Sequence, residues 1–456
     1  MAWRDRGVLP PGLPFPSPAF TFLWWKFPYP LLEDSQRRYG DTFTLRLAGL
    51  PPVVMFSNPE VVRQVFLDDG TTMEAGRFNR SLAVLLGERS VLMTDGRTHA
   101  RKRKLLMPPF HGARMQAYAR AMLDLSDRAI DAFPRSAAFS LHPFMQEVTL
   151  RVIVRTIFGA LARVEDKLVA QLGEVLDVGT SISLLIPALR RNLWGRSPYA
   201  RFMAASREAD RTLFADIRAR RESGERGDDV LSLLLDARDE DGEPMPDDEL
   251  RDELVTLLVA GHETTATALT WAVRWIVERP AVLARLRAEL PPDKCGDPAA
   301  IEKSPWLDAI VREALRLQPV IPLVGRVLAR PVSLGGWDLP EGVAVACSIY
   351  LAQRRPEIYT DPTEFDPARF LGRGKPSAAF GASELFPFGG GIRRCIGMAF
   401  ALYEMKMVLA RLFARTDLEI AHRPVKVARR SITMVPKHGL RVRLSRREPR
   451  PTPPGA

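Results

Sequence analysis

Apolar positions recur at helical spacing over most of this 456-residue chain, and their period predicts long helices at about 96–107, 113–133, 143–159, 163–179, 198–221, 247–278 and 306–318. Apolar runs bounded by proline and glycine predict short strands at Thr42 to Leu47, Pro52 to Phe56, Val320 to Val327 and Val343 to Tyr350, with a last strand near Arg443. Asn58 stands before Pro59 and caps a helix that runs to Phe66. The longest pattern opens on Pro246 and the pair Asp247-Asp248 and closes at Pro280. At 1.5 Å per residue it makes a rod of about 50 Å, long enough to cross a whole domain. No internal repeat and no long low-complexity linker divides the chain. The expectation is a mainly α fold with minor β (α+β): a Pro/aromatic-rich segment over 1–30, one large domain over 31–445 and a disordered tail over 446–456.

Charge adds little to that picture. The 65 basic and 54 acidic residues leave a formal net charge of +11, which suits a nucleic acid, an anionic membrane surface or an acidic protein. No nucleic-acid-binding module is present, and the arginines are scattered over ordinary helical segments, so a solvated basic surface accounts for most of the excess. The aromatic stretch Phe20 to Phe27 is too short, and too interrupted by Lys26 and Pro28, to span a bilayer, and it lacks the order of a signal peptide. Cysteines at 295, 347 and 395 have neither paired metal spacing nor the number for a disulfide framework, which fits a reducing cytoplasm.

Cys395 carries the chemistry. It lies in Phe386-Pro387-Phe388-Gly389-Gly390-Gly391-Ile392-Arg393-Arg394-Cys395-Ile396-Gly397, a glycine-rich loop ahead of an amphipathic helix. A loop of this kind can present one thiolate to a haem iron, where the sulfur pushes electron density toward bound dioxygen. Its backbone N–H groups and the following helix N-terminus stabilise the anion. Arg393 can reach a haem propionate and Phe388 can cover the sulfur side of the ring. The plain alternative is a buried, inert cysteine.

Three further constellations stand beside it. Ala260-Gly261-His262-Glu263-Thr264-Thr265 sits inside the longest helix, where a threonine bonding back to a carbonyl can widen the turn. His262 has no ligand partner at helical spacing and is assigned a structural or solvent-facing role. Glu313 and Arg316 lie three apart on one helix face and can pair. His99 and Arg103 lie four apart in Asp95 to Arg103, followed by the basic run Arg101-Lys102-Arg103-Lys104.

The spacing Phe388-x-x-Gly391-x-Arg393-x-Cys395-x-Gly397 resembles the haem-binding signature of the cytochrome P-450 superfamily at every fixed position. Ala260 to Thr265 is similar to the oxygen-side motif in that superfamily's central helix. The resemblance runs from about residue 42 to Arg443, and Leu105 to Gly112 with Arg393 to Phe400 look like soluble cyanobacterial and myxobacterial members. It implies haem b with Cys395 as the axial ligand of the iron. Thr264 becomes the oxygen-side hydroxyl and Glu263 a proton relay. His99, Arg103, Arg326 and Arg393 become propionate donors, and Glu313, Arg316 and Arg369 a buried ionic network that holds the cysteine loop. Gln353, where relatives often carry histidine, is a departure without catalytic consequence.

The implied activity is a monooxygenase that inserts one atom of O2 into a C–H bond of an apolar small molecule such as a fatty acid or terpenoid. Apolar segments at Phe78 to Leu92, Leu257 to Thr265, Val320 to Val324 and Ile432 to Met434 map onto its substrate-recognition regions. Electrons would come from a separate ferredoxin or flavodoxin and its reductase, docking at Arg101, Lys102 and Lys104, although a solvated patch explains those residues equally well. A monomer is expected. A peroxide-driven peroxygenase of the same fold carries an arginine–proline pair where Glu263-Thr264 stands. A haem carrier or sensor needs the thiolate but not the oxygen-side helix.

Overall fold

The computed structural model describes residues 9–110, 114–159, 165–179, 190–191, 196–371 and 380–445. The expected tail over 446–456 and the first eight residues of the N-terminal segment lie outside them.

Helices dominate. Those of seven or more residues are α1 (Ser17–Lys26), α2 (Pro28–Tyr39), α3 (Pro59–Leu67), α4 (Gly96–Leu106), α5 (Arg114–Asp131), α6 (His142–Phe158), α7 (Glu165–Gly179), α8 (Pro198–Ser223), α9 (Val230–Asp236), α10 (Asp247–Val277), α11 (Pro280–Glu289), α12 (Pro305–Leu317) and α13 (Met398–Arg415). Their starts follow the capping chemistry in the sequence. Asn58 accepts from the Glu60 N–H, Ser197 from Ala200, and Ser304 from Leu307, each just before a proline whose missing N–H costs nothing at the first helical turn.

The strands are β1 (Thr42–Leu45), β2 (Val53–Phe56), β3 (Met73–Glu74), β4 (Phe139–Ser140), β5 (Leu323–Leu328), β6 (Val332–Leu334), β7 (Trp337–Leu339), β8 (Ala344–Ser348), β9 (Leu418–Ile420), β10 (Val427–Arg430), β11 (Thr433–Pro436) and β12 (Arg441–Leu444). Five form one sheet in the order β1-β2-β8-β5-β3, with β2 parallel to β8. The expected strands are shorter than their apolar runs, and for two of them the cause is visible. Pro322 offers no N–H to a ladder and the Val320 carbonyl bonds Met434 of β11 instead (2.8 Å), so β5 begins at Leu323. Ser348 ends β8 because its hydroxyl caps the turn at Ile349–Ala352.

α10 is the axis of the molecule. It packs against α6, α12, α13 and β11, and Leu254, Leu258, Ala266, Leu269, Trp271 and Ile276 on it are fully buried. Each large apolar side chain buried there is worth about 1.5–3 kcal/mol. The Trp271 indole donates to the Met434 carbonyl at 2.7 Å, tying this axis to the β10–β11 hairpin. The turn widening expected near Thr264 is absent, because α10 is continuous there. Gly261 instead leaves room for Ile153 of α6, which would stand 3.2 Å from a Cβ at that position. At the N-terminus, Leu13, Phe20 and Trp24 pack with Phe43, Leu45 and Met55, so the aromatic segment belongs to the body of the fold.

Candidate active site

The cysteine loop is pressed onto the end of α3. Gly391 has φ +63°, and a Cβ there would stand 1.9 Å from the Phe66 carbonyl oxygen; at Gly390 it would meet the Phe66 ring at 2.1 Å. Phe66 and Phe386 pack edge to face at 5.2 Å. Within the loop the Gly389 N–H donates to Phe386 O and the Cys395 N–H to Phe388 O, both at 2.9 Å. These bonds fix the loop without using the sulfur.

Cys395 is exposed, whereas Cys295 and Cys347 are buried. Neighbouring protein nevertheless desolvates its thiol and pushes the pKa up, while the Gly397 N–H and the Arg103 charge work in the opposite direction. An iron bound to the sulfur would reverse the net outcome, since a coordinated thiol is deprotonated.

Basic groups converge near that loop from three elements: His99 and Arg103 on α4, Arg326 on β5, and Arg393 in the loop itself. Burial and then the charges of Arg393, Arg103 and Arg326 lower the His99 pKa to about 3, so its imidazole is neutral. Burial likewise lowers Arg103 and Arg326, and it brings Arg393 down to about 10. Among the described ion pairs, only Arg393 has a carboxylate, that of Asp95. Arg326 Nη1 reaches no further than its neighbour's Gly325 carbonyl, at 2.8 Å, and His99 Nδ1 is buried without a partner. Such an excess of buried cations and an orphaned donor beside an exposed thiol fits a group with one metal and two carboxylates. Haem is such a group.

The oxygen-side residues occupy different surroundings. Half-buried Thr264 donates its hydroxyl to the Ala260 carbonyl at 2.5 Å. Glu263, 8% exposed, accepts from Gln146 Nε2 at 2.7 Å and lies 3.4 Å from His142 Nε2 and 3.7 Å from Arg430 Nε. Burial would raise its pKa, but His142, Arg430 and His262 together hold it below the ordinary carboxylate value. His262 is buried, with its pKa lowered to about 4 chiefly by desolvation, so its role is structural rather than solvent-facing.

Glu313, Arg316 and Arg369 form one buried network. Arg316 holds both Glu313 oxygens, at 2.6 and 2.8 Å, and also donates to the carbonyls of Gln353, Pro362 and Glu364; Arg369 Nε reaches Glu313 Oε1 at 2.9 Å. The sequence did not show which residue links it to the cysteine loop. Gln353, fully buried, donates to the Arg316 carbonyl at 3.0 Å and accepts from the Phe386 N–H at 3.0 Å. The departure given no catalytic consequence is therefore a structural bridge. Asp95, also missed, joins Arg393 to the Gly76 N–H.

The docking role expected of Arg101, Lys102 and Lys104 fails for Lys102, which is not at the surface. Lys102 is buried between Glu249 (2.9 Å) and Glu253 (3.1 Å) of α10; Arg101 pairs with Asp239 and Glu249, and Lys104 with Glu240. Acids about 140–150 positions downstream pair with three of the four residues of the run, all but Arg103, and no one-dimensional pattern announces them.

Comparisons with known proteins agree with this geometry. The pattern of the family described as Cytochrome P450 matches residues 9–441. A putative cytochrome P450 135B1 of Mycobacterium tuberculosis is 37% identical over 446 residues, covering 96% of this chain and 91% of the relative. Putative cytochrome P450 135A1 of the same species is 35% identical, with 96% and 95% covered. Among solved structures, retinoic acid bound cyanobacterial CYP120A1 superposes with a TM-score of 0.83 at 26% identity, covering 96% of this chain and 99% of that one. The cytochrome P450DA heme domain superposes with a TM-score of 0.82 at 24% identity, with 97% and 99% covered.

Proposed function

The chain belongs to the cytochrome P450 family of haem-thiolate monooxygenases, and on that premise we propose that it hydroxylates an apolar small molecule of the fatty-acid or terpenoid kind. The carrying observation is the pairing of two unlike environments: an exposed thiol near two arginines, Arg103 and Arg326, that have no carboxylate partner among the described ion pairs, and a central helix that brings the Thr264 hydroxyl and the buried Glu263 carboxylate side by side in sequence. In this reading Cys395 ligates the iron of haem b. His99, Arg103, Arg326 and Arg393 hold the two propionates, and Phe388 covers the sulfur side. The haem supplies dioxygen activation. Thr264 presents a hydroxyl proton on the oxygen side, and Glu263 replaces it. A non-catalytic carrier would have no use for the second environment.

Substrate class follows from the apolar segments. Leu85, Leu92, Leu257 and Ile321 are partly buried apolar side chains on the stretches that map onto substrate recognition, and Ile432 is exposed. Such a lining orients an alkyl chain or a fused-ring lipid by shape and burial. The retinoic acid held by the cyanobacterial neighbour is an apolar isoprenoid acid of that kind. Titrating holoprotein with a panel of fatty acids and terpenoids should shift the haem absorption for at least one class, with hydroxylated product on turnover. No shift across the panel would sink the assignment.

The electron donor is proposed to be an acidic ferredoxin or flavodoxin that docks over the cysteine loop. Exposed Leu67 and Ile392 stand among exposed Arg97 and Arg394, an apolar contact with a basic rim. Among the described residues no helix is long and apolar enough to cross a membrane.

Thr264→Ala should keep the haem content and the substrate-induced shift but divert electrons into hydrogen peroxide, cutting product per NAD(P)H by roughly tenfold. Coupling equal to wild type would remove Thr264 from the mechanism.

A further inference from the structure

His142 is the first residue of α6, is 4% exposed and was assigned no role by its sequence neighbourhood. Its Nδ1 lies 3.1 Å from Thr270 Oγ1, and the Thr270 hydroxyl is already committed as donor to the Ala266 carbonyl at 2.7 Å. Thr270 therefore accepts, and His142 Nδ1 carries a hydrogen. In the neutral ring this leaves Nε2 as a bare lone pair. That lone pair faces Glu263 Oε1 at 3.4 Å, and neither atom has a hydrogen-bond partner. Two acceptors cannot share a buried space without a large penalty unless a proton lies between them.

We propose that His142 and Glu263 hold one dissociable proton in common and that His142 is the positioning residue that resupplies it to Glu263. This rests on the reading of Glu263 as the proton relay to Thr264. The remaining groups around the pair suit the task. Gln146 fixes the other Glu263 oxygen at 2.7 Å, and Arg430 stands 3.7 Å from Oε1 with Asp177 of α7 behind it at 3.5 Å. His262 is the adjacent residue on α10, and its buried ring is held neutral. The arginine keeps a positive charge on the pair without being able to exchange a proton at neutral pH. Outward, His142 backs onto Gly439, where a Cβ would come within 3.1 Å of the His142 Cβ. A surface cleft of about 300 Å³ walled in part by Lys437, His438 and Leu440 brings solvent to that turn. Cleft, His142 and Glu263 follow one another in that order, with Gln146, Arg430 and His262 around the carboxylate.

Two measurements test the proposal. In 15N-histidine-labelled holoprotein, reduced and bound to carbon monoxide so that it is diamagnetic, the His142 signals should show a protonated Nδ1, and Glu263→Gln should shift the Nε2 resonance. A hydrogen resident on Nε2 in the neutral ring, or indifference to Glu263→Gln, would overturn the assignment. In turnover, His142→Gln keeps a donor to Glu263 but has no proton to give. It should raise hydrogen peroxide per O2 consumed by roughly tenfold at neutral pH and flatten a wild-type leak that grows as pH rises. Haem content should stay unchanged. If His142→Gln retains the wild-type pH profile while Glu263→Gln leaks, the resupply role fails and the relay reading stands. If Glu263→Gln also behaves as wild type, the relay reading fails instead.

Discussion

Cys395→Ser is expected to give a folded protein that has lost its chemistry. The substitution exchanges one atom at an exposed position, and the bonds that shape the loop run through backbone and through Gln353 rather than through the sulfur. What disappears is the anionic donor. Serine oxygen holds its proton at neutral pH far more firmly than a thiol does, so electron push onto the iron and charge matching to the loop N–H groups are both lost. Turnover should fall by more than about 100-fold, some 3 kcal/mol of transition-state stabilisation. The reduced, carbon monoxide-bound spectrum should lose its thiolate signature. An unaltered spectrum would show that another residue ligates the iron.

Arg316→Ala should have the largest structural effect of any single charge removal. Arg316 and Glu313 are both fully buried, and the arginine makes five hydrogen bonds, two to Glu313 and three that join α12 to the 353–364 segment. Truncating it leaves Glu313 Oε2 and three backbone carbonyls without that donor, while Arg369 and the Asp366 N–H still hold Oε1, at a cost of about 3–5 kcal/mol. That is a large part of a typical folding free energy of about 5–15 kcal/mol. A chain this long has an unfolding entropy near ~1 kcal/mol/K, so the melting temperature should drop by only about 3–5 °C. The more sensitive readout is haem retention, because the Arg316 carbonyl anchors Gln353 and Gln353 anchors the Phe386 N–H at the entry to the cysteine loop. The exposed pair Arg63–Glu60 is a fair control, since such pairs contribute about 0–1 kcal/mol. A variant at Arg316 as stable and as haem-replete as one at Arg63 would remove the network from the account.

Local order was readable because its causes are local. Asn58, Ser197 and Ser304 stand ahead of prolines, and the apolar period then carries each helix to within a few residues of its observed end. Strands were harder to bound. Val320 looks like β5 until the Met434 N–H, more than 100 positions away, takes its carbonyl. The same limit governs charge. A run of four basic residues reads as a docking face, and only folding shows that α10 supplies Glu249 and Glu253 to cancel it. The linking roles of Gln353 and Asp95 were not legible because a neutral amide and a helix-start aspartate carry no pattern of their own. Their significance lies in what the backbone of another segment presents to them.

By itself the sequence determined the helical fold class and the loop that offers Cys395, because periodicity, capping and glycine spacing act between near neighbours. The tertiary structure alone decided which basic groups remain free of carboxylates around that loop and which are neutralised, and it alone set His142 against Glu263. Those outcomes depend on desolvation and on distances between residues far apart in the chain. Coulomb energy and hydrogen-bond geometry are fixed only once the chain has folded.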